Sequence, residues 1–214
     1  MEYRITGYCS IRNNGVIAND RLEHFEEKFV TFADFIKSLY KKEGISYPKF
    51  FKMDSLSKLG FLTAELLLKR RETDKYKKER VGLVVANSAS SLDTDLAFYD
   101  TIADRSNYFP SPSVFVYTLP NIMNGEICIR HKFKGENTFL VSERFDCALI
   151  YNTVLEAMDN GRMDACIAGW VELLRDRYES LLFLVERTED PDGLPGEGAR
   201  EFSKKEIEKL YVKI

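Results

Sequence analysis

Any chemistry in this chain would have to come from few side chains. There are four cysteines, Cys9, Cys128, Cys147 and Cys166, and two histidines, His24 and His131. The cysteines are spread along the chain, with no C-x-x-C pair and no histidine cluster nearby. That spacing is not a zinc pattern, and neither a metal nor another cofactor is expected. A disulfide framework is not expected either, in a chain this long and apolar. Three of the thiols sit in apolar strand-like or helical stretches, where a buried Cys packs as a small hydrophobe. Cys147 differs. It lies at a strand-to-helix junction spanning roughly residues 138–147, and helix N-termini offer unpaired N–H groups and a dipole that favour an anion or a thiolate. Enzymes with a nucleophile elbow place Ser or Cys at such a point.

The elements that would position this junction follow from periodicity. A strand is read over Tyr3–Cys9, with a turn at Asn13-Asn14-Gly15. Phe25, Phe29, Phe32, Phe35, Ile36 and Leu39 predict an amphipathic helix over about 20–44. A second helix follows Asp54, with a leucine face and Lys69-Arg70-Arg71 in its last turn. The charged stretch Glu72–Arg80 reads as a solvated connection. The unbroken apolar run Val81–Ala86, then small polar residues 87–91 and a helix over Asp93–Ile102, is an α/β pattern. Residues 104–124 are turn-rich. Strands are predicted at Glu126–Arg130 and Thr138–Val141, with Gly135 turning between them, which puts His131 in an exposed or packing position. A helix from Arg144 to Asn160 ends at Gly161. Strands at Ala165–Gly169 and Leu181–Glu186, a loop at Pro191–Gly198 and a charged tail forming a short surface helix complete the reading.

Composition bounds the function. The 214 residues suit one domain with a sizeable core, and 44% apolar content excludes wholesale disorder. Lys+Arg at 31 against Asp+Glu at 34 gives a net charge of −3, with no basic excess for a nucleic-acid backbone. No apolar run approaches the roughly 18–20 residues of a membrane span. Met1–Thr6 lacks the apolar core of a secretory leader, so a cytoplasmic address is expected.

Six pieces in order resemble the N-terminal half of the β-ketoacyl synthases, the thiolase-fold condensing enzymes of fatty-acid and polyketide synthesis. They are Arg4-Ile5-Thr6-Gly7, Lys52-Met53-Asp54 with the leucine-rich helix, and Glu79-Arg80-Val81-Gly82-Leu83-Val84. The others are Ser111-Pro112-Ser113 through Leu119-Pro120-Asn121 and Gly125, then Gly135, and Ala168-Gly169-Trp170-Val171-Glu172. The resemblance covers about residues 3–187. It implies a thiolase-like half-fold: a mixed, mainly parallel five-stranded sheet with helices on both faces. Residues 1–190 would form the synthase-like domain, with a helical insertion at 20–52, and 191–214 the charged tail.

Counted from Gly135, and back from Ala168–Glu172, the family's nucleophilic cysteine falls on Arg144, and Cys147 follows three residues later. Arg144 cannot deprotonate to act as nucleophile or base, and near a helix N-terminus it needs a compensating anion, with Glu143 the nearest in sequence. Cys147, nearly one turn into a helix that starts at 144, is either a displaced nucleophile or a packing thiol. The family's two catalytic histidines and lysine belong to its C-terminal half, and His24 and His131 cannot replace them. Autonomous condensation is therefore not expected.

The resemblance implies instead a non-catalytic accessory subunit, like a chain-length factor, in dimeric association with an intact ketosynthase or an acyl carrier protein. Thr118 and Leu119 would border the partner's acyl pocket, and the strand carrying Thr138 and Leu140 would meet it across a two-fold axis. The alternatives are a module binding an anionic acyl or phosphopantetheine group at Arg144, an acyltransferase using Cys147, or a structural protein without a ligand.

Overall fold

A computed structural model describes residues 2–25, 31–69, 71, 73–188 and 198–213. The N-terminal strand β1 (Glu2–Arg12) turns at Asn13-Asn14 into β2 (Gly15–Ala18), and Asn19-Asp20 turns β2 into β3 (Arg21–Phe25). All four turn residues have positive φ, between 49° and 66°, as two-residue hairpin turns demand and as Asn and Asp tolerate. The helix expected over 20–44 is therefore shorter than read: its first residues pair with β2, and the helix, α1, is Phe32–Lys42. Residues 26–30, including Phe29, lie outside the described residues.

After α1 come α2 (Ser55–Leu68), β4 (Val81–Asn87), α3 (Leu92–Asp100), a short α4 (Pro112–Phe115) and α5 (Asn121–His131). Then follow β5 (Asn137–Val141), α6 (Cys147–Asp159), β6 (Ala165–Leu174), β7 (Arg177–Thr188), β8 (Arg200–Glu201) and α7 (Lys204–Val212). The strand expected at Glu126–Arg130 is instead part of α5. Its alternation of Ile127 and Ile129 with polar neighbours imitates a strand, but packing decides: Met123 of α5 fills the space a side chain at Gly60 of α2 would occupy. His131 thus closes a helix.

The sheet is mixed, in the order β3-β2-β1-β7-β6-β4-β5, with β8 on β1. It has eight strands rather than five, and only β4–β5 and β4–β6 are parallel; the pairings among β1, β2, β3, β6, β7 and β8 are antiparallel. The expected mainly parallel character is thus confined to the β4-centred end. Helices cover both faces, as expected. Leu83 and Val85 face the core under α1, α2 and α5, while Val84 and Ala86 face the core under α6 and α7. That alternation follows from the period of two along a strand. The C-terminal helix is more than a surface element, since Ile207 and Leu210 are fully buried in the second core. No helix among the described residues is long and apolar enough to cross a membrane.

Candidate functional site

Because β4 and β5 run parallel, the loops after them leave the sheet on the same side, where α/β sheets place their sites. The two loops are tied together: the Ser142 N–H donates to the Asn87 carbonyl at 3.0 Å. Asn87 folds its own loop, its amide bridging Ser90 N and O at 2.9 Å each. Glu172, near the end of β6, accepts from the Ser88 N–H and hydroxyl, both at 2.6 Å, and from the Ala89 N–H at 3.3 Å. Phe145 meets the Trp170 ring edge-on at 5.9 Å.

The helix starts later than its sequence suggested. Asp146 is the N-cap of α6, its carboxylate accepting from the N–H groups of Ala148 and Leu149 at 2.9 Å each. Asp before an apolar periodic run is the signal for this cap. Two consequences follow. Cys147 opens the helix rather than lying a turn inside it, and Arg144 sits in the preceding turn, where its carbonyl accepts from the Ser142 hydroxyl at 2.8 Å. The other consequence is electrostatic: the chain's own carboxylate already occupies the first-turn N–H groups that would hold a thiolate or a bound anion. Arg144 and Glu143 are both exposed, and among the described residues Arg144 makes no ion pair.

The Cys147 thiol is held above its ordinary pKa by burial, then by a hydrogen bond to Glu208 and the negative charges of Glu208 and Asp146. This is the opposite of the electropositive surroundings that activate a cysteine. The cover is α7. Tyr211 stacks on Phe145 with ring centroids 3.8 Å apart and donates its hydroxyl to Glu179 at 2.6 Å. Phe202 packs on Tyr151 at 4.8 Å. Asp146, Glu208 and Tyr211 are the residues sequence reading passed over; only Asp146 had a clear local signal.

Neither histidine joins Cys147. His24 lies on β3, at the sheet edge opposite β5, with Nδ1 2.7 Å from Lys42 Nζ. His131 lies 2.9 Å from Glu65 of α2, on the opposite face of the sheet from α6. Cys9 and Cys166 are fully buried, which pushes their thiols far up, and burial raises Cys128 to about 11.

Of the remaining predicted positions, Thr118 and Leu119 border the same end of the sheet. The Thr118 carbonyl accepts from Ser91 at 2.6 Å, linking residues 111–120 to the loop after β4, and Leu119 is 55% exposed. The Thr138 carbonyl accepts from Asn124 at 3.1 Å, while Leu140 packs partly against the second core. Both lie on β5, whose outer edge carries no strand among the described residues. Helix α3 and the segment after it carry an exposed apolar surface, with Tyr99, Tyr108, Phe109, Phe115, Val116 and Leu119 all more than two-fifths exposed.

The model of the β-ketoacyl synthase N-terminal domain family matches residues 25–192. No curated protein matches the chain. Among solved structures, the ishigamide ketosynthase/chain length factor is similar over 91% of this chain and 64% of its own, with 19% identity and a TM-score of 0.66. A type II polyketide acyl-carrier protein complex with its ketosynthase, AntDE:AntF, gives 16% identity over 87% of this chain and 62% of the other, with a TM-score of 0.58. The complex of the ketosynthase ApeO with its chain length factor ApeC from Xenorhabdus doucetiae gives 11% identity and a TM-score of 0.57 over 100% of this chain and 91% of the other. At these identities the likeness establishes a shared fold. The chain spans less than two thirds of the length of the first two structures.

Proposed function

The chain belongs to the β-ketoacyl synthase N-terminal domain family, and from that membership we propose that it is a non-catalytic, chain-length-factor-like subunit pairing with an intact ketosynthase. The observation that carries this reading is the nucleophile turn. Arg144 stands where the family's cysteine is expected, Asp146 fills the helix N-terminus behind it, and α7 roofs the turn. A thiolate has no stabilising partner there. What the molecule offers instead is surface: the open edge of β5 and the exposed aromatic stretch on and after α3. Clusters of exposed apolar residues of this kind mark protein interaction sites. The ketosynthase–chain length factor assemblies among its structural neighbours supply the partner class, and the ketosynthase–carrier protein complex adds the acyl carrier protein as a second candidate. In this role Thr118 and Leu119 line the partner's acyl cavity.

The test is a tagged pulldown from native cells with identification by mass spectrometry. Recovery of a ketosynthase at near-equal stoichiometry is expected, with a carrier protein in substoichiometric amount. A chain that comes down alone, or with neither protein, overturns the reading.

A further inference from the structure

The end of the sheet opposite the nucleophile turn holds a cleft of about 700 Å³, lined by Lys75, Tyr76, Lys77, Arg80, Asp164 and Arg187. One wall is rigid. Arg80 immediately precedes β4, Asp164 immediately precedes β6, and Arg187 lies near the end of the antiparallel β7. The main chain laces them together, with Asp164 N–H donating to the Arg80 carbonyl at 2.8 Å and Arg187 N–H to the Asp164 carbonyl at 3.4 Å. The other wall is the connection between α2 and β4, which supplies Lys75, Tyr76 and Lys77.

Charge here runs against the rest of the molecule. Four cations and one carboxylate face a cleft in a chain whose net charge is −3. The carboxylate is already committed: Asp164 takes a two-pronged ion pair from Arg80, at 2.9 Å from Nε and 2.7 Å from Nη2. Lys75 is held by Glu186 at 2.9 Å, outside the cleft lining. Lys77 and Arg187 remain. Lys77 is exposed and forms no ion pair within 4.0 Å among the described residues. Arg187 reaches the Met158 carbonyl, at 3.5 Å from Nη2, and the Tyr3 hydroxyl, which donates to Asp159, but it forms no ion pair within 4.0 Å among the described residues. Its Nε is buried with no acceptor among the described residues. Arg187 and Lys77 thus line a positive cleft with charge that no carboxylate within 4.0 Å offsets among the described residues, and such charge is a place for an anionic acceptor.

The geometry points to this cleft as a binding site for a phosphate-bearing small molecule, held through its phosphate oxygens between Lys77 and Arg187. Arginine's planar fork suits phosphate, and lysine adds a mobile point charge. The volume exceeds that of a single phosphate ion, and Tyr76 gives the wall one aromatic side chain. The site lies away from the nucleophile turn and from the apolar surface on α3, so it stands independently of the synthase partner.

Isothermal titration of the whole protein in low-salt buffer, with inorganic pyrophosphate and separately with a nucleoside diphosphate, tests this. Saturable one-site binding is expected, absent when sodium chloride replaces the ligand at matched ionic strength. Lys77→Gln, at an exposed position that leaves folding intact, should weaken it about tenfold, the scale of one charge-assisted hydrogen bond. Arg187→Gln should abolish it, while Lys134→Gln, outside the cleft, should leave it unchanged. Equal affinity for the two ligands assigns recognition to the diphosphate alone; tighter nucleotide binding extends the site to the organic body. No saturable binding by either ligand, or binding unaffected by Lys77→Gln, overturns the proposal.

Discussion

At the scale of single residues, the decisive feature is that a carboxylate and a thiol exchange their expected importance at the start of α6. The sequence marks Cys147 as the side chain with reactive potential, and the structure gives it the first helical position, better placed for reactivity than its spacing from Arg144 implied. What removes that potential is burial first, then Glu208 across from α7 and Asp146 in the N–H cradle, since burial and each negative charge disfavour the thiolate. Alkylation of Cys147 by chloroacetamide at pH 7.5 should therefore be slower than that of a free thiol. The sign of the control is fixed: Glu208→Gln removes a negative neighbour, lowers the thiol pKa and speeds alkylation at constant pH. Mass-spectrometric kinetics on the intact protein reads both. Fast labelling of the wild type would restore the displaced-nucleophile reading of Cys147.

At the scale of elements, the β4-centred α/β core and the turn glycines were legible, because buried parallel strands and their flanking helices leave strong local patterns. A side chain at Gly135, one of the resemblance positions, would collide with the Val81 carbonyl. Three elements were not legible. The second hairpin turn, Asn19-Asp20, was masked by the phenylalanine spacing that runs on into α1. The apolar face of α7, Ile207, Leu210 and Tyr211 at helical spacing, was hidden among lysines and glutamates. Helix α5 depends on a tertiary partner, α2, and no local pattern encodes that contact. Arg130 grips Glu65 of α2 at 2.9 and 3.0 Å, and the His131 Nε2 lies 2.9 Å from the same carboxylate. Burial raises the Glu65 carboxyl, but hydrogen bonds and charge from His131 and Arg130 outweigh it and hold the group below the usual carboxylate range. A depressed folded pKa contributes stability above the unfolded value of about 4.3, and that stability is lost as pH falls through the folded value. Glu65→Gln should thus lower stability at pH 7 by about 2 kcal/mol and flatten the acid side of a Tm-versus-pH profile. An unchanged acid limb would show that the clasp does not govern it. For α7, Leu210→Ala should cost about 3 kcal/mol in denaturant unfolding, the scale of a core truncation, whereas an undocked surface helix would lose under 0.5 kcal/mol.

At the scale of the whole molecule, the surfaces around the nucleophile turn differ in what they leave open. The α6 side is closed by the chain itself, because Phe202 and, from α7, Ile207 and Leu210 enter the second core. The side bearing β5 and α3 stays open, with Phe109 at 79% exposure and Tyr108 at 63%. In the proposed role, a partner ketosynthase would engage the β5–α3 side, where burying aromatic side chains yields the concentrated binding energy of an interface hot spot. Substitution there separates binding from folding. Phe109→Ser removes little that the isolated chain buries, so its Tm should stay within the range of a surface change, about ±0.5 kcal/mol in stability. In the complex the same change should weaken association by about 2 kcal/mol, roughly thirtyfold, the threshold of a hot spot. Leu210→Ala gives the converse pattern, lost stability with the partner-facing surface intact. Size-exclusion titration of each variant against the ketosynthase that the pulldown is expected to recover distinguishes them. A Phe109→Ser chain that binds as tightly as the wild type would move the interface off this face, and with it the placement of Thr118 and Leu119 beside the partner's acyl cavity.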